Sequence, residues 1–143
     1  GVGNREESAY VQMKNTLRIT ATAVESYCVD NNAYPQPDTN NLGQPILPKS
    51  LTTPIAYYTS TPNDSYKKEP NNPLLYCSNS SQWIVVSVGP DKVMDIGYPA
   101  KKAKLSIYSA LTMNRNILKS LPVTYDPTNG LNSKGDIWRT EQR

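Results

Sequence analysis

The sequence predicts an α+β fold in which one long N-terminal helix packs on a small antiparallel β-sheet. The first observation behind this prediction is a helical period that runs through residues 5–31. The second is a pair of apolar segments, residues 74–78 and 83–88, separated by a polar turn. The third is composition, because only 37% of residues are hydrophobic and 12 are proline, which indicates long loops. A chain of 143 residues has the size of one domain, so we expect residues 1–143 to form a single domain.

The predicted helix, residues 5–31, is about seven turns long. Apolar side chains recur in it at steps of three and four, which places them on one stripe of the helix surface. The members of this stripe are Tyr10, Met13, Leu17, Ala21, Val24 and Cys28. Asn31 and Asn32 should end the helix, since asparagine tolerates left-handed backbone geometry and the following Tyr34-Pro35 cannot continue it. The stripe requires a second layer to cover it.

Residues 32–72 are predicted to form a long loop, because prolines recur throughout them. Apolar side chains within the loop should anchor it to the sheet. These anchors are Ile46, Leu47, Leu51, Ile55, Tyr57 and Tyr58. A short helical turn over residues 50–53 is also expected, with Ser50 as its cap.

Residues 73–140 supply the sheet and further loops. Residues 74–78 and 83–88 predict an antiparallel hairpin, and the nearly continuous apolar run in the second segment predicts a central strand covered by the helix on one face. A third strand is expected over residues 136–140. Residues 100–121 have near-helical spacing that is interrupted at Asn114-Arg115-Asn116, so both a short helix and irregular structure remain open there.

Cys28 and Cys77 are the two cysteines, and their separation matches no CxxC metal or redox motif. The expected interpretation is a disulfide between the end of the helix and the first strand of the hairpin, which would stabilise the fold by about 3–4 kcal/mol and indicate an oxidising compartment. The alternative is a pair of free, buried thiols.

Charge and motifs exclude several classes of protein. The net charge of +3 comes from scattered basic residues, and the densest cluster, at Lys101, Lys102 and Lys104, is too small to predict nucleic-acid binding. Histidine is absent, which excludes an ordinary zinc site. Motifs of the GxSxG, P-loop and GxGxxG type are absent. Glu25 could pair with a loop aspartate as acid and base, but a glutamate in this helical position is usually a solvated surface residue. We therefore do not expect an enzyme.

Ten tyrosines and no phenylalanine give the chain an unusual set of aromatic side chains. Tyr57, Tyr58, Tyr66 and Tyr76 would form either a surface patch for binding a partner or, in place of phenylalanine, part of a shallow core.

Several segments together resemble the globular part of type IV pilin-like proteins, and in particular the major pseudopilins of type II secretion systems. The segments read ESYCVDNNAYP at the helix exit, LTTPIAYYTSTPND in the loop, WIVVSVGPD in the sheet and YDPTNGLNSKGDIWR near the end. The resemblance covers most of residues 9–139. In that family a hydrophobic segment precedes the helix, is cleaved and methylated at its start, and anchors the subunit in the membrane.

The resemblance implies a structural subunit of a bacterial type IV pilus-like filament or type II secretion pseudopilus that acts by polymerisation. Its partners would be copies of itself, other pilins or secretion-system components, and the inner membrane through a preceding hydrophobic segment. Its location would be the inner membrane, the periplasm and an extracellular filament. The alternative function is that of a minor pilin or surface adhesin that binds a partner through residues 35–72 or through the tyrosines.

The resemblance also implies a calcium site, because major pseudopilins bind calcium in the loop between their last strands. Asp91 and Asp136 stand at the two ends of the corresponding region here, and Asp126 lies between them, with Asn129 and Ser133 as further oxygen donors. Such oxygens suit calcium, which takes six to eight oxygen ligands. The region is longer than the compact family loop, and the alternative is that these aspartates cap turns and accept backbone hydrogen bonds.

Overall fold

The N-terminal helix α1, Val2–Asn31, is 30 residues long and therefore spans about 45 Å. The computed structural model of the protein describes residues 2–67, 71–99, 102–127 and 135–141, with side chains from Ser8 onward. α1 begins three residues before the predicted start and ends where the sequence predicts. Asn32 adopts a left-handed φ of 57°, and its N–H donates to the Cys28 carbonyl at 2.8 Å, which ends the helix.

A five-stranded antiparallel sheet follows α1, and it confirms the predicted α+β class. The strands in chain order are β1 Asp38–Thr39, β2 Pro45–Ile46, β3 Leu75–Ser78, β4 Trp83–Ser87, β5 Ile96–Gly97, β6 Leu105–Ser106 and β7 Ile137–Thr140. The sheet has the order β1-β2-β3-β4-β7, while β5 and β6 form a separate parallel pair. Tyr76 of β3 faces Val85 of β4, and Val85 faces Arg139 of β7. The predicted hairpin and third strand are thus present, with ends shifted by one residue.

The sheet is covered on both faces. On one face α1 buries Met13, Leu17 and Val24 against Tyr76 and Val85. The other face packs against two short helices, α2 Ile107–Thr112 and α3 Arg115–Ser120. That second core contains Leu75, Cys77, Ile84, Val86, Ile96, Ile107, Ala110, Leu111, Leu118 and Val123. The prediction of cover on one face by the helix was therefore incomplete.

α2 and α3 resolve the ambiguity over residues 100–121. The interruption at Asn114 is a helix boundary, because the Asn114 side chain accepts hydrogen bonds from the N–H groups of Asn116 and Ile117 at the start of α3. Ser106 caps α2 in the same way by accepting from Tyr108 N–H. Two capped helices of six residues each thus replace the single helix that the spacing suggested.

The long loop between α1 and β3 is anchored as predicted at Leu47, Leu51 and Tyr58, which are all buried in the core beneath α1. Ile55 is 57% exposed, so its predicted role as an anchor is wrong. Ser50 is also not a cap, because it lies within the 3₁₀ turn Lys49–Leu51, whose N-terminal flanking residue is a proline without a capping hydrogen bond.

The predicted disulfide between Cys28 and Cys77 is wrong, since both cysteines are free. Successive residues of a strand point to opposite faces of the sheet. Tyr76 lies in the core beneath α1, whereas Cys77 lies in the core beneath α2 and α3. Because Cys28 belongs to α1, the sheet itself separates the two sulfur atoms.

Candidate functional site

The loop that follows β4 approaches the start of β7 at very short range. Gly89 has a φ of 77°, a backbone conformation that residues with a side chain rarely adopt. A β-carbon built on it would also lie 2.6 Å from the Gly135 carbonyl oxygen, which is too close for a side chain. Asp64 secures the same region, because it accepts hydrogen bonds from Ser87 Oγ and from Val88 N–H, both at 2.8 Å. Asp64 is buried and fixes the end of β4. The two ends of the predicted calcium region are thereby brought together.

Asp136 is fully buried at this meeting point. Its Oδ2 accepts hydrogen bonds from Ile96 N–H at 2.7 Å and from Asp95 N–H at 3.1 Å. Burial raises the pKa of Asp136 to about 9, although the two N–H donors oppose the shift, and the charges of Asp95 and Asp91 add to it. Asp136 thus positions β5 by accepting backbone hydrogen bonds. This is the structural role that the sequence offered as the alternative to calcium binding.

Asp95 is a member of this cluster that the sequence did not reveal. Its side chain is 1% exposed, and its Oδ1 lies 3.6 Å from Lys104 Nζ. Its Oδ2 is buried with no hydrogen-bond partner among the described residues. Asp91 lies near enough for Asp95 to raise its pKa, although burial is the larger cause, and Asp91 Oδ1 caps a turn by accepting from Val93 N–H at 3.1 Å. We name Asp91, Asp95 and Asp136 the carboxylate cluster.

The carboxylate cluster contains two of the three predicted calcium ligands. Asp126 is exposed, and its charge adds to burial in raising the pKa of Tyr10 of α1. Asn129 and Ser133 lie outside the described residues. Within the described parts of the chain, no three acidic side chains converge in the manner of metal ligands. The unpartnered Asp95 Oδ2 is the feature that fits a cation.

The end of α1 is attached to the sheet through Glu25. Glu25 Oε1 accepts hydrogen bonds from Trp83 Nε1 at 2.8 Å and from the Tyr34 hydroxyl at 3.1 Å. Burial, together with the Glu25 charge and hydrogen bond, raises the pKa of Tyr34 to about 12. The hydrogen-bond partners of Glu25 in the described part of the chain are therefore groups that dock the helix, and no loop aspartate is among them.

The tyrosines named in the sequence are mainly core residues. Tyr58 and Tyr76 are buried, and the Tyr76 hydroxyl donates to the Pro35 carbonyl at 2.6 Å. Tyr57 and Tyr66 are half-buried and pack against the core beneath α1. Burial raises the pKa of Tyr58 to about 12. These four side chains form part of a shallow core, which is the second of the two alternatives.

The outer face of α1 carries exposed apolar side chains. Val11 is 61% exposed, Ile19 is 47% exposed and Val29 is 83% exposed. Positions 11 and 29 lie on the same side of the helix, since a separation of 29 − 11 = 18 residues corresponds to about five turns. The inner face, which includes Met13 and Leu17, is fully buried. Ile19 lies about 80° around the helix from positions 11 and 29. We name the exposed residues Val11, Ile19 and Val29 the outer stripe.

The described residues contain no helix with the length and apolar character that a membrane span requires. A scan of protein-family models, of the curated proteins and of the solved structures finds no match to this chain. Two features of the structure bear on function. One is helix α1, which is buried on one face and exposed on the other, and the second is the carboxylate cluster.

Proposed function

We propose that this chain is the head of a bacterial filament subunit of the type IV pilin-like class and that it acts by polymerisation. The observation that carries the proposal is the two-faced α1, a helix of 30 residues with one face buried by its own sheet and apolar side chains exposed on the other. A helix covered only on one side offers the other side to neighbouring subunits. The resemblance of the helix exit and the last strand to pilin-like sequences supports the same function.

A filament follows from this arrangement when the outer stripe meets a different surface on the next subunit. Such head-to-tail contacts repeat without closing, so they generate a helical polymer rather than a ring. In the proposed assembly, the residues that precede α1 anchor the subunit in the inner membrane and pack in the filament core. The proposed partners are copies of this chain, other pilins or secretion-system components, and the proposed location includes the periplasm and an extracellular filament.

The test is a filament assay on the full gene product in its own host. The proposal expects the encoded precursor to carry a prepilin-type processing site and about 20 apolar residues ahead of α1. Antibodies raised against this domain should label filaments along their length in electron micrographs. A precursor that is polar throughout that region, together with unlabelled filaments, would contradict the proposal.

Variants of the outer stripe sharpen this test. Val29→Asp places a charge on the most exposed apolar residue of α1 and should abolish filaments or reduce them strongly, because the charge would have to be desolvated at the contact. Leu42→Asp is the matched control, since Leu42 is 74% exposed and lies between β1 and β2. Equal filament yields from both variants would show that the outer stripe is not an assembly contact.

A minor pilin or adhesin is the second candidate. It would occur at low abundance and label only the filament tip, whereas a major subunit labels the whole length. Labelling density along the filament therefore separates the two functions.

We propose that calcium binds at the carboxylate cluster through Asp95, with Asp91 as a second acidic ligand, while Asp136 keeps its backbone hydrogen bonds. The buried, unpartnered Asp95 Oδ2 supports this proposal. Calcium that binds only the folded state would raise its stability by about 2.7 kcal/mol at a concentration 100-fold above Kd. Thermal unfolding with calcium, with magnesium and with a chelator measures this effect, and Asp95→Asn should remove it. An unchanged melting temperature at millimolar calcium would leave the aspartates with structural roles only.

A further inference from the structure

A positively charged groove of about 500 Å³ lies where α1, α3 and β7 meet. α1 contributes Tyr10 and Lys14 to its lining, α3 contributes Arg115 and Lys119, and β7 contributes Arg139. The groove is open to solvent along one side. We name it the basic groove.

The four basic side chains of the groove form no ion pair with an acidic residue that the structure describes. The ion pair found in the described parts of the chain joins Lys104 to Asp95, which lie elsewhere, and none of the four groove cations forms one there. Lys14, Arg115 and Lys119 are exposed, and Arg139 is half-buried. Four positive charges and one exposed lining carboxylate, Asp126, leave the basic groove with a positive potential.

The floor of the groove is the outer edge of β7. Pairing on this edge begins at Asp136, whose N–H donates to the Val123 carbonyl at 2.6 Å and whose carbonyl accepts from Tyr125 N–H at 2.9 Å. The parallel bridge ends there, at Thr124 and Asp136. β4 pairs with one edge of β7. Along Ile137–Thr140 the described residues offer no strand partner on the other edge, which faces the groove. The basic groove thus contains an edge of β7 that is paired at Asp136 and has no strand partner among the described residues over Ile137–Thr140.

We propose that the basic groove binds an extended acidic peptide segment of a partner protein, which adds to β7 as a further strand. Backbone hydrogen bonds to Ile137–Thr140 would hold about four residues of the segment, since a strand advances about 3.3 Å per residue. Side chains on one face of the added strand would carry carboxylates to Arg115 and Lys119 of α3. Side chains on the other face would lie toward α1 and contact the rings of Tyr10 and Tyr125. This inference does not depend on filament assembly, because it uses no residue of the outer stripe.

The first experiment is a titration of the folded protein with an acetylated and amidated peptide of sequence Glu-Thr-Glu-Val-Glu-Thr, followed by NMR. The expected result is saturable binding with amide shifts concentrated in residues 137–140 and an affinity that falls as salt is added. The same peptide with glutamine in place of glutamate should bind at least about tenfold more weakly, since its charge attraction is lost. Methylation of alternate backbone nitrogens should also weaken binding, because the methyl groups block the strand pairing.

The second experiment reverses charges on the protein. Arg115→Glu with Lys119→Glu should weaken binding of the acidic peptide at least about tenfold, because two attractions become repulsions. Lys49→Glu with Lys102→Glu is the matched control, since it changes the net charge equally at two exposed positions outside the groove and should alter affinity less than about threefold. Circular dichroism establishes that both variants are folded.

Three outcomes would overturn the proposal. One is equal binding of the acidic and glutamine peptides. Another is full affinity of the backbone-methylated peptide, which would mean that the edge of β7 is not used. The third is saturation of the groove by inorganic phosphate or a sulfated oligosaccharide when the acidic peptide fails to bind, which would make it a site for a different class of anion.

Discussion

Removal of the Glu25 side chain is the sharpest test of how α1 is held on the sheet. Trp83 is 1% exposed, and its Nε1–H donates to Glu25 Oε1 at 2.8 Å. Glu25→Ala leaves this buried donor without its carboxylate and also removes the acceptor of the Tyr34 hydroxyl. A hydrogen bond to a charged group contributes about 1.5–3 kcal/mol. The glutamate is largely exposed and water would enter beside the indole, so we expect a loss at the lower end of that range, about 1.5 kcal/mol.

A loss of about 1.5 kcal/mol corresponds to a fall in melting temperature of about 5 °C for a chain of this size. Urea unfolding followed by tryptophan fluorescence measures the free energy directly. Glu25→Gln is the informative companion, because its side-chain carbonyl still accepts from Trp83 Nε1, and it should lose less than about half as much. Gln12→Ala, at an exposed position of the same helix, controls for the higher helix propensity of alanine.

The result that would refute this reasoning is a Glu25→Ala protein as stable as Glu25→Gln and the native chain. Water would then satisfy the indole N–H as well as the carboxylate does. Apolar packing alone, through residues such as Leu17 and Val24, would account for the attachment of α1.

Three further predictions concern the cysteines, a buried acid and a helix cap. Unreduced protein should show two titratable thiols after unfolding and the same urea midpoint with and without reductant, and Cys28 should react before Cys77 in the folded state because Cys77 is buried. Burial raises the pKa of Asp136 to about 9, so the folded chain holds this proton more tightly than the unfolded chain. Stability measured with a chelator should therefore fall as pH rises above about 4, by up to about 1.4 kcal/mol per pH unit, and Asp136→Asn should flatten the slope. Asn114→Ala should cost about 1 kcal/mol in urea unfolding, because it removes the cap of α3.

Sequence reasoning predicted α1 and the hairpin well because their signals are local. The period of α1 and the turn of the hairpin are set by residues close together in the chain, so both elements were predicted to within a few residues. Asn114 was read as an interruption although it is a cap, and the side-chain acceptor that makes it a cap is equally a local property.

The candidate site was predicted only in part, because its members meet through long-range contacts. Asp91 and Asp136 were selected by resemblance and do lie in one cluster with Asp95. Asp95 follows a methionine in no recognisable pattern, and it becomes important only because Asp136 accepts its backbone N–H. Asp126 was selected for its position between the two ends of the loop, and that position does not bring its exposed side chain next to the buried Asp95 and Asp136.

The failed disulfide and the missed second layer have one cause. β4 is apolar at nearly every position and all five of its residues are buried, and a strand with this pattern must be covered on both faces. Because both faces of the sheet are covered, alternate residues of the neighbouring β3 enter different cores. The prediction that β3 lies beneath α1 therefore does not determine which core receives the sulfur of Cys77. A hydrophobic run without alternation therefore predicts the number of layers, whereas only the register of the pairing fixes which layer each side chain joins. In this chain that register sends Tyr76 to the core beneath α1 and Cys77 to the core beneath α2 and α3. The outer stripe of α1 stays exposed because those positions do not face the sheet.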